Sequence, residues 1–347
     1  MTGFCRKRRD ESLRGLATGL LLMLVCGKGC AQDADFEDCI LQLIDSAGDD
    51  VTVGEIRETC RSATQPQGNG EAASASQETE AADTDESAID RRLALEGATQ
   101  EVPFVVTPHK PNYIIYTYNF DKYREELYEQ ELDENVSFKH SEVDFQISFK
   151  VPLWRSIFNT NTHLFAAYTN RSFFQVFEHS APFREIDHEP EIWLSHFTRW
   201  ELFGLTGRIL QAGFSHQSNG RVGSLSRSWN RVYANAIFEA GDFYFSIKPW
   251  WRVQEPESDD DNPDIEDYMG YFEFQGIYKL RDNNLGLMFR NQLKDDYRGA
   301  LQLDWSVPVT EHLRGYVQYF YGYGNSLIDY NDKVNKLGVG IKLTDWL

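Results

Sequence analysis

The segment of this 347-residue chain richest in reactive side chains runs Phe214-Ser-His216-Gln-Ser218-Asn-Gly220-Arg221-Val-Gly-Ser-Leu-Ser226-Arg-Ser-Trp-Asn230-Arg. Nucleophilic catalysis needs a hydroxyl, a base to take its proton and a group that orients the base. Ser218, His216 and Asn230 are of those three types. An asparagine can hold an imidazole in one tautomer, although it stabilises the imidazolium less than a carboxylate does. The chain has no Gly-x-Ser-x-Gly elbow, which argues against a soluble α/β-hydrolase.

His216 and Ser218 are two apart, so on a strand they share one face and can hydrogen-bond. Stepping back by twos from His216 meets Phe214, Ala212 and Leu210, while Ser215, Gly213 and Gln211 between them are polar or small. Stepping forward by twos from Asn230 meets Val232, Ala234, Ala236 and Phe238, against Arg231, Tyr233, Asn235 and Glu239 on the other face. All three candidates therefore sit on the apolar faces of two successive strands, at their loop ends. Polar residues there either serve a reaction or simply meet lipid headgroups.

The elements that must carry them follow from period-2 alternation, which begins near residue 104 and continues to Leu347. Strands are expected near 111–119, 140–151, 161–169, 190–203, 204–216, 228–239, 242–254, 266–279, 285–294, 298–307, 312–323 and 335–346. Twelve is an even number, as in bacterial transmembrane barrels. Long connections near 120–139, 170–189, 217–227, 255–265 and 324–334 alternate with short ones near 240–241, 280–284 and 308–311; the one near 295–297 breaks the rule. The fold class expected is all-β, a 12-stranded antiparallel transmembrane β-barrel, with a soluble sandwich as the alternative.

Composition agrees. Phe 23, Tyr 17 and Trp 8 accompany a mean hydropathy of -0.50, the mixture of a polar interior and an aromatic-ringed exterior. A net charge of -20 argues against nucleic acid as a partner. Beyond the N-terminus no apolar run of about 20 residues exists, which excludes a polytopic helical membrane protein.

Arg6, Lys7, Arg8, Arg9 and Arg14 precede an apolar run to Val25, and Gly29 and Ala31 suit a signal-peptidase site before Gln32. The run is short for a membrane anchor, and the neighbours of Cys26 and Cys30 are poor for a lipidated cysteine. With residues 1–31 removed, Cys39 and Cys60 remain and most simply pair in an oxidising compartment. The expected organisation is a signal peptide (1–31), a short helical disulfide module (32–62), a disordered acidic linker (63–103) and a barrel domain (104–347). A small module gains from a staple because it has little core, and the linker composition cannot bury one.

Several ordered segments together resemble the outer-membrane phospholipase A family: His216-Gln-Ser218-Asn-Gly220, Ser226-Arg-Ser-Trp-Asn230-Arg, Ser180-Ala-Pro-Phe-Arg-Glu185, Lys248-Pro-Trp250, Asp261-Asn-Pro-Asp264 with Tyr268-Met-Gly270, and Tyr323-Gly-Asn-Ser-Leu-Ile-Asp-Tyr330. The resemblance covers roughly 110–347 and leaves 33–100 outside it. It implies a 12-stranded barrel in the bacterial outer membrane that hydrolyses acyl esters of phospholipids and lysophospholipids. It also implies calcium dependence and a homodimer with substrate held between two barrels. Carried over by motif, Ser218 is the nucleophile, His216 the general base and later acid, and Asn230 the orienter. The same resemblance suggests that calcium is held by the Arg221 carbonyl, by Ser226 and by Ser180 of the partner subunit, an oxygen-only shell that suits this ion.

Two departures stand out. Where the family buries a glutamine on the lipid face at its dimer interface, the nearest match is Asn170. The acidic run from Ser258 to Asp264 could hold a second calcium, yet it lacks the glycine of an EF-hand loop, so a solvated loop is as good a reading. His140, His163, His179, His188, His196 and His312 show no metal-ligand spacing, and Gly322-Tyr-Gly324 reads as a turn. The competing functions are a diffusion pore and a structural or adhesive barrel, both indifferent to an outward-facing Ser218.

Overall fold

A computed structural model of the chain describes residues 87–100, 106–132, 136–179, 182–294 and 298–344. The expected signal peptide, the disulfide module with Cys39 and Cys60, and most of the acidic linker lie outside the described residues. The unit described here spans Thr84–Leu347.

Alternation of side chains turns most of this unit into strands. They are β1 (Thr107–Pro108), β2 (Asn112–Asn119), β3 (Ser141–Trp154), β4 (Thr162–Phe174), β5 (Phe183–Leu202), β6 (Leu205–Ser218), β7 (Ser228–Ala240), β8 (Phe243–Val253), β9 (Phe272–Leu280), β10 (Asn283–Asn291), β11 (Gly299–Pro308), β12 (Arg314–Gly322) and β13 (Val334–Thr344). Each of β2–β13 pairs antiparallel with its neighbours in sequence, and β13 pairs with β2, from Lys336 opposite Asn119 to Thr344 opposite Asn112. The result is a closed 12-stranded barrel, as expected, which leaves no sheet edge to satisfy in lipid. β1 is a short continuation of β2 along β3, with Thr107 opposite Lys150, set apart by Pro111, which has no N–H to donate.

Two boundaries depart from expectation. Residues 266–269 are not strand but the end of a short helix, α3 (Ile265–Met269), following helices α1 (Ala88–Gln100) and α2 (Glu126–Leu132). Ile265, Tyr268 and Met269 stand one helical turn apart and pack under the loops. The expected long loop 170–189 shrinks to 175–182, because β4 and β5 run further than their apolar residues indicate. Arg184, Glu185, Asp187 and Glu191 are buried strand residues facing the lumen, and their charge disguises the strand. The third departure lies in the linker: Ala88–Gln100 is helix, not disordered chain.

The lumen is polar and closed off towards both rims. Arg184, fully buried, reaches Glu142 at 2.9 Å and Asp329 at 2.5 Å, and Lys336 reaches Glu142 at 2.6 Å. Towards the long-loop rim, Trp193, Trp229, Tyr233 and Trp250 cluster with Ile265, Met269, Leu327 and Tyr330. At the opposite rim lies α1. Its Ala88 N–H donates to the Tyr244 hydroxyl at 3.1 Å, Asp90 pairs with Arg208, and Glu96 meets Lys150 at 2.8 Å. Between the two is a space of about 360 Å³. A lumen plugged in this way does not favour the pore reading.

The outer face carries Ile114, Tyr116, Ile192, Leu194, Leu210, Phe214, Val232, Val339 and Ile341, all exposed. A continuous apolar exterior of this kind matches hydrocarbon, with strands long enough to cross it. Short turns such as Phe203-Gly204, both left-handed at φ 50° and 81°, join strands at one rim, as two-residue hairpins require. The long connections gather at the other.

Candidate active site on the lipid-facing surface

β6 delivers His216 and Ser218, and β7 delivers Asn230. Register places His216 opposite Asn230 and Ser218 opposite Ser228, so all four side chains share the outer face. Their neighbours on that face, Phe214 and Val232, are 38% and 46% exposed, which confirms the direction. The site therefore lies where the strands reach the long-loop rim.

His216 Nδ1 and Asn230 Oδ1 are 2.9 Å apart. An amide oxygen only accepts, so this contact puts a proton on Nδ1 and leaves the Nε2 lone pair free. The Asn230 amide is anchored at its other end, where Nδ2 donates to Glu255 Oε1 at 2.7 Å. Glu255 lies two residues beyond Val253, which faces Asn230 across the β7–β8 pair. Ser218 lies two positions along the same face from His216, and its Oγ accepts the N–H of Gly220 at 3.1 Å. Thus His216 and Asn230 are bonded, while the Ser218 hydroxyl is engaged by the loop backbone.

That loop, 219–227, is organised by buried Asn219. Its Nδ2 donates to Glu185 Oε1 and to the Leu225 carbonyl, both at 2.8 Å. Its Oδ1 accepts the N–H groups of Arg227 at 3.0 Å and Arg221 at 3.3 Å. Gly220 and Gly223 are left-handed (φ 65° and 63°), and a Cβ at Gly223 would come within 2.3 Å of the Glu131 carboxylate. Glu131 accepts the Ser224 hydroxyl at 2.8 Å and the Ser224 N–H at 3.1 Å, and those bonds hold its carboxyl below the usual glutamate range.

Of the three expected calcium donors, Ser226 donates its hydroxyl to Asp261 Oδ2 at 2.6 Å. Arg221 is held through its guanidinium by Glu185 at 3.0 Å and by the Arg184 carbonyl at 2.6 Å. Ser180 lies outside the described residues. The donor set is hydroxyl and carbonyl oxygen with the Asp261 carboxylate alongside, which fits a hard cation. Among the described residues no group of three or more His, Cys, Asp and Glu is gathered for a metal. Asp260 is engaged by Arg252 at 2.6 Å and Asp264 by the Tyr330 hydroxyl, so much of the acidic run ties the loop to the barrel.

Sequence reasoning missed three participants. Glu255 gave no signal, because it lies beyond the paired end of β8 and only the β7–β8 register and the path of the following loop bring it beside Asn230. Asp261 lay in a run read as solvated or as a second ion site. His188, read as a surface or lumen residue, is on the outer face opposite Ser218, with its Nδ1 2.6 Å from the Tyr168 hydroxyl and 3.5 Å from Asn170 Nδ2. Asn170 is thus a lipid-face residue in contact with the strand next to Ser218.

A closed 12-stranded barrel with an apolar exterior and a polar, plugged lumen is an outer-membrane β-barrel of the bacterial kind, and its outward-facing serine, histidine and asparagine suit ester hydrolysis. Comparison with known proteins agrees. The family model described as phospholipase A1 matches residues 89–343. A phospholipase A1 of Klebsiella pneumoniae is 40% identical over 245 residues, 70% of this chain and 84% of the relative. Among solved structures, outer membrane phospholipase A from Escherichia coli, as a variant whose active-site asparagine is alanine, superposes with a TM-score of 0.67 at 38% identity, covering 72% of this chain and 97% of that one. The Salmonella typhi outer membrane phospholipase, a dimer with bound calcium, gives 0.66 at 37% identity, covering 72% and 96%.

The chain belongs to the phospholipase A1 family. It is a barrel of the bacterial outer membrane and an enzyme of the carboxylic ester hydrolase class.

Proposed function

We propose that this protein hydrolyses acyl ester bonds of phospholipids and lysophospholipids, of the A1 and A2 types, through Ser218, His216 and Asn230, with calcium as cofactor and as a homodimer. The observation that carries the reading is the His216–Asn230 contact of 2.9 Å on the lipid-facing surface beside Ser218. The loop end of an outward face is where a lipid's ester groups meet the headgroup layer. A substrate can therefore reach Ser218 from within the membrane.

The chemistry follows from the protonation state. Rotation of the Ser218 side chain from the Gly220 amide towards Nε2 lets the imidazole take its proton as Oγ attacks the acyl carbonyl. A carbon–oxygen bond forms and the carbonyl electron pair moves to oxygen. The Gly220 N–H, already within 3.1 Å of Oγ, is a donor in reach of that developing charge. Collapse breaks the ester, and Nε2 returns the proton to the departing alcohol. Water then repeats the sequence on the acyl-serine, releasing fatty acid. Asn230 keeps the Nδ1 proton in place throughout.

The Ser226 hydroxyl and the Arg221 carbonyl, with Ser180 of the partner subunit, would hold calcium, and Asp261, bonded to Ser226, would add a carboxylate. A cation held there would supply positive charge to stabilise the developing oxyanion. The calcium-bound Salmonella dimer supports both the ion and the pairing of two barrels. The asparagine-to-alanine active-site variant of the E. coli relative supports the third residue.

The test is fatty-acid release from phospholipid in detergent micelles by the refolded protein. Calcium-dependent release that disappears in Ser218→Ala and with excess chelator is expected. Activity that survives the chelator removes calcium from the reading. Activity that survives Ser218→Ala removes the nucleophile.

A further inference from the structure

An asparagine has two chemically opposite ends, and His216 is served by only one of them. If the amide turned by 180°, its NH2 group would face Nδ1 and the imidazole would carry its proton on Nε2, where it could not accept one from Ser218. A hydrogen bond to His216 does not by itself prevent this, because the imidazole can donate or accept at Nδ1. Something on the far side of the amide must discriminate.

The Glu255 carboxylate does so. Its Oε1 lies 2.7 Å from Asn230 Nδ2. An ionised carboxylate only accepts, so it demands the NH2 end and turns the amide oxygen towards His216. The same residue places a negative charge one amide away from the imidazole that becomes positive in the reaction. Hydrogen-bonded groups in series polarise one another, so the amide passes on part of that charge. The adjoining end of β8 is tied to the following loop through Arg252, which donates to the Pro263 carbonyl at 3.2 Å and pairs with Asp260 at 2.6 Å.

We propose that Glu255 is a positioning residue of the hydrolytic site: it fixes the Asn230 amide and supplies the negative charge that an aspartate would supply in a Ser-His-Asp arrangement. The inference rests on the Ser218–His216–Asn230 reading and deepens it. It accounts for how a neutral residue can stand third in the series.

The experiment moves the charge. Glu255→Gln keeps the shape but lets the facing amides adopt either orientation, and lowers kcat by about 10- to 100-fold, the range of one charge-assisted hydrogen bond. KM for phospholipid stays within about twofold, because Glu255 acts through the Asn230 amide. Asn230→Asp alone sets two carboxylates against each other and is also impaired. Asn230→Asp combined with Glu255→Gln places the carboxylate on His216 with a glutamine to donate to it. This double variant is expected to exceed both single variants and to return to within about threefold of the parent kcat. Folding of each variant is checked by the heat-dependent gel mobility of the barrel. Full kcat in Glu255→Gln, or a double variant no better than its parents, overturns the inference while leaving Ser218→Ala and His216→Ala inactive. Retained activity in those two variants instead overturns the underlying reading, and this inference with it.

Discussion

Replacing Asn219 by alanine tests whether the loop beside Ser218 is built to serve the site. This buried side chain makes two donated bonds at 2.8 Å, one to Glu185 and one to the Leu225 carbonyl, and accepts the Arg227 N–H at 3.0 Å. A bond to a carboxylate contributes about 2 kcal/mol and each neutral bond about 1 kcal/mol, so about 4 kcal/mol of loop order rests on one residue. Net contributions of this kind vary about twofold with context, which sets a lower bound of about 2 kcal/mol. At 1.4 kcal/mol per tenfold, the ordered loop becomes about 30- to 700-fold less populated relative to the open one. Arg221 and Ser226 belong to this loop, so the calcium concentration for half-maximal activity should rise, by up to that factor as the open loop comes to predominate. The assay is fatty-acid release titrated with calcium, with the folded barrel verified by gel mobility. The barrel strands do not depend on Asn219, so the fold should survive. A calcium requirement within threefold of the parent would refute the reasoning, because the loop would then be held by something other than Asn219.

Other outcomes follow from the same structure. Arg184→Met leaves Glu142 and Asp329 without the buried guanidinium between them, and should destabilise the barrel by about 3–5 kcal/mol in urea-dependent folding into detergent or lipid. The carboxyl of Glu131 lies below its usual range because Ser224 bonds to it, so the tie between α2 and the loop is complete above about pH 4.3 and is lost as pH falls through the lowered value. Amide exchange at Ser224 should accelerate there in the parent, and the extra step should be absent in Glu131→Gln. A chain truncated to begin at Thr84 should keep barrel and activity, whereas one beginning after Gln100 loses the helix paired to Arg208 and Lys150 and should show increased ion conductance in planar bilayers.

How much was legible in advance can be judged from particular residues. Strand faces were legible because period-2 alternation is a local property: Phe214 and Val232 name the lipid side without knowledge of what lies across the barrel. The same alternation put His216, Ser218 and Asn230 on one face. It failed at β5, where Arg184, Asp187 and Glu191 face a lumen that supplies their counter-charges from distant strands. A charged strand and a charged loop look alike until those partners are known. It failed again at Ile265–Met269, where five residues obey a helical turn too short to register.

By itself, the sequence determined the barrel class and the number of strands in the ring, since alternation is a property of each strand, and it put three candidate reactive residues on one face of two neighbouring strands. Only the tertiary structure decided that Ala88–Gln100 plugs the lumen, that Asn219 organises the loop and that His188 stands beside Ser218. It alone brought Glu255 to the far end of the Asn230 amide. The physical reason is common to all four. Each is a hydrogen bond, an ion pair or a cross-strand pairing between groups from different strands or loops, and the register of the sheet, which no local pattern encodes, sets which of them meet.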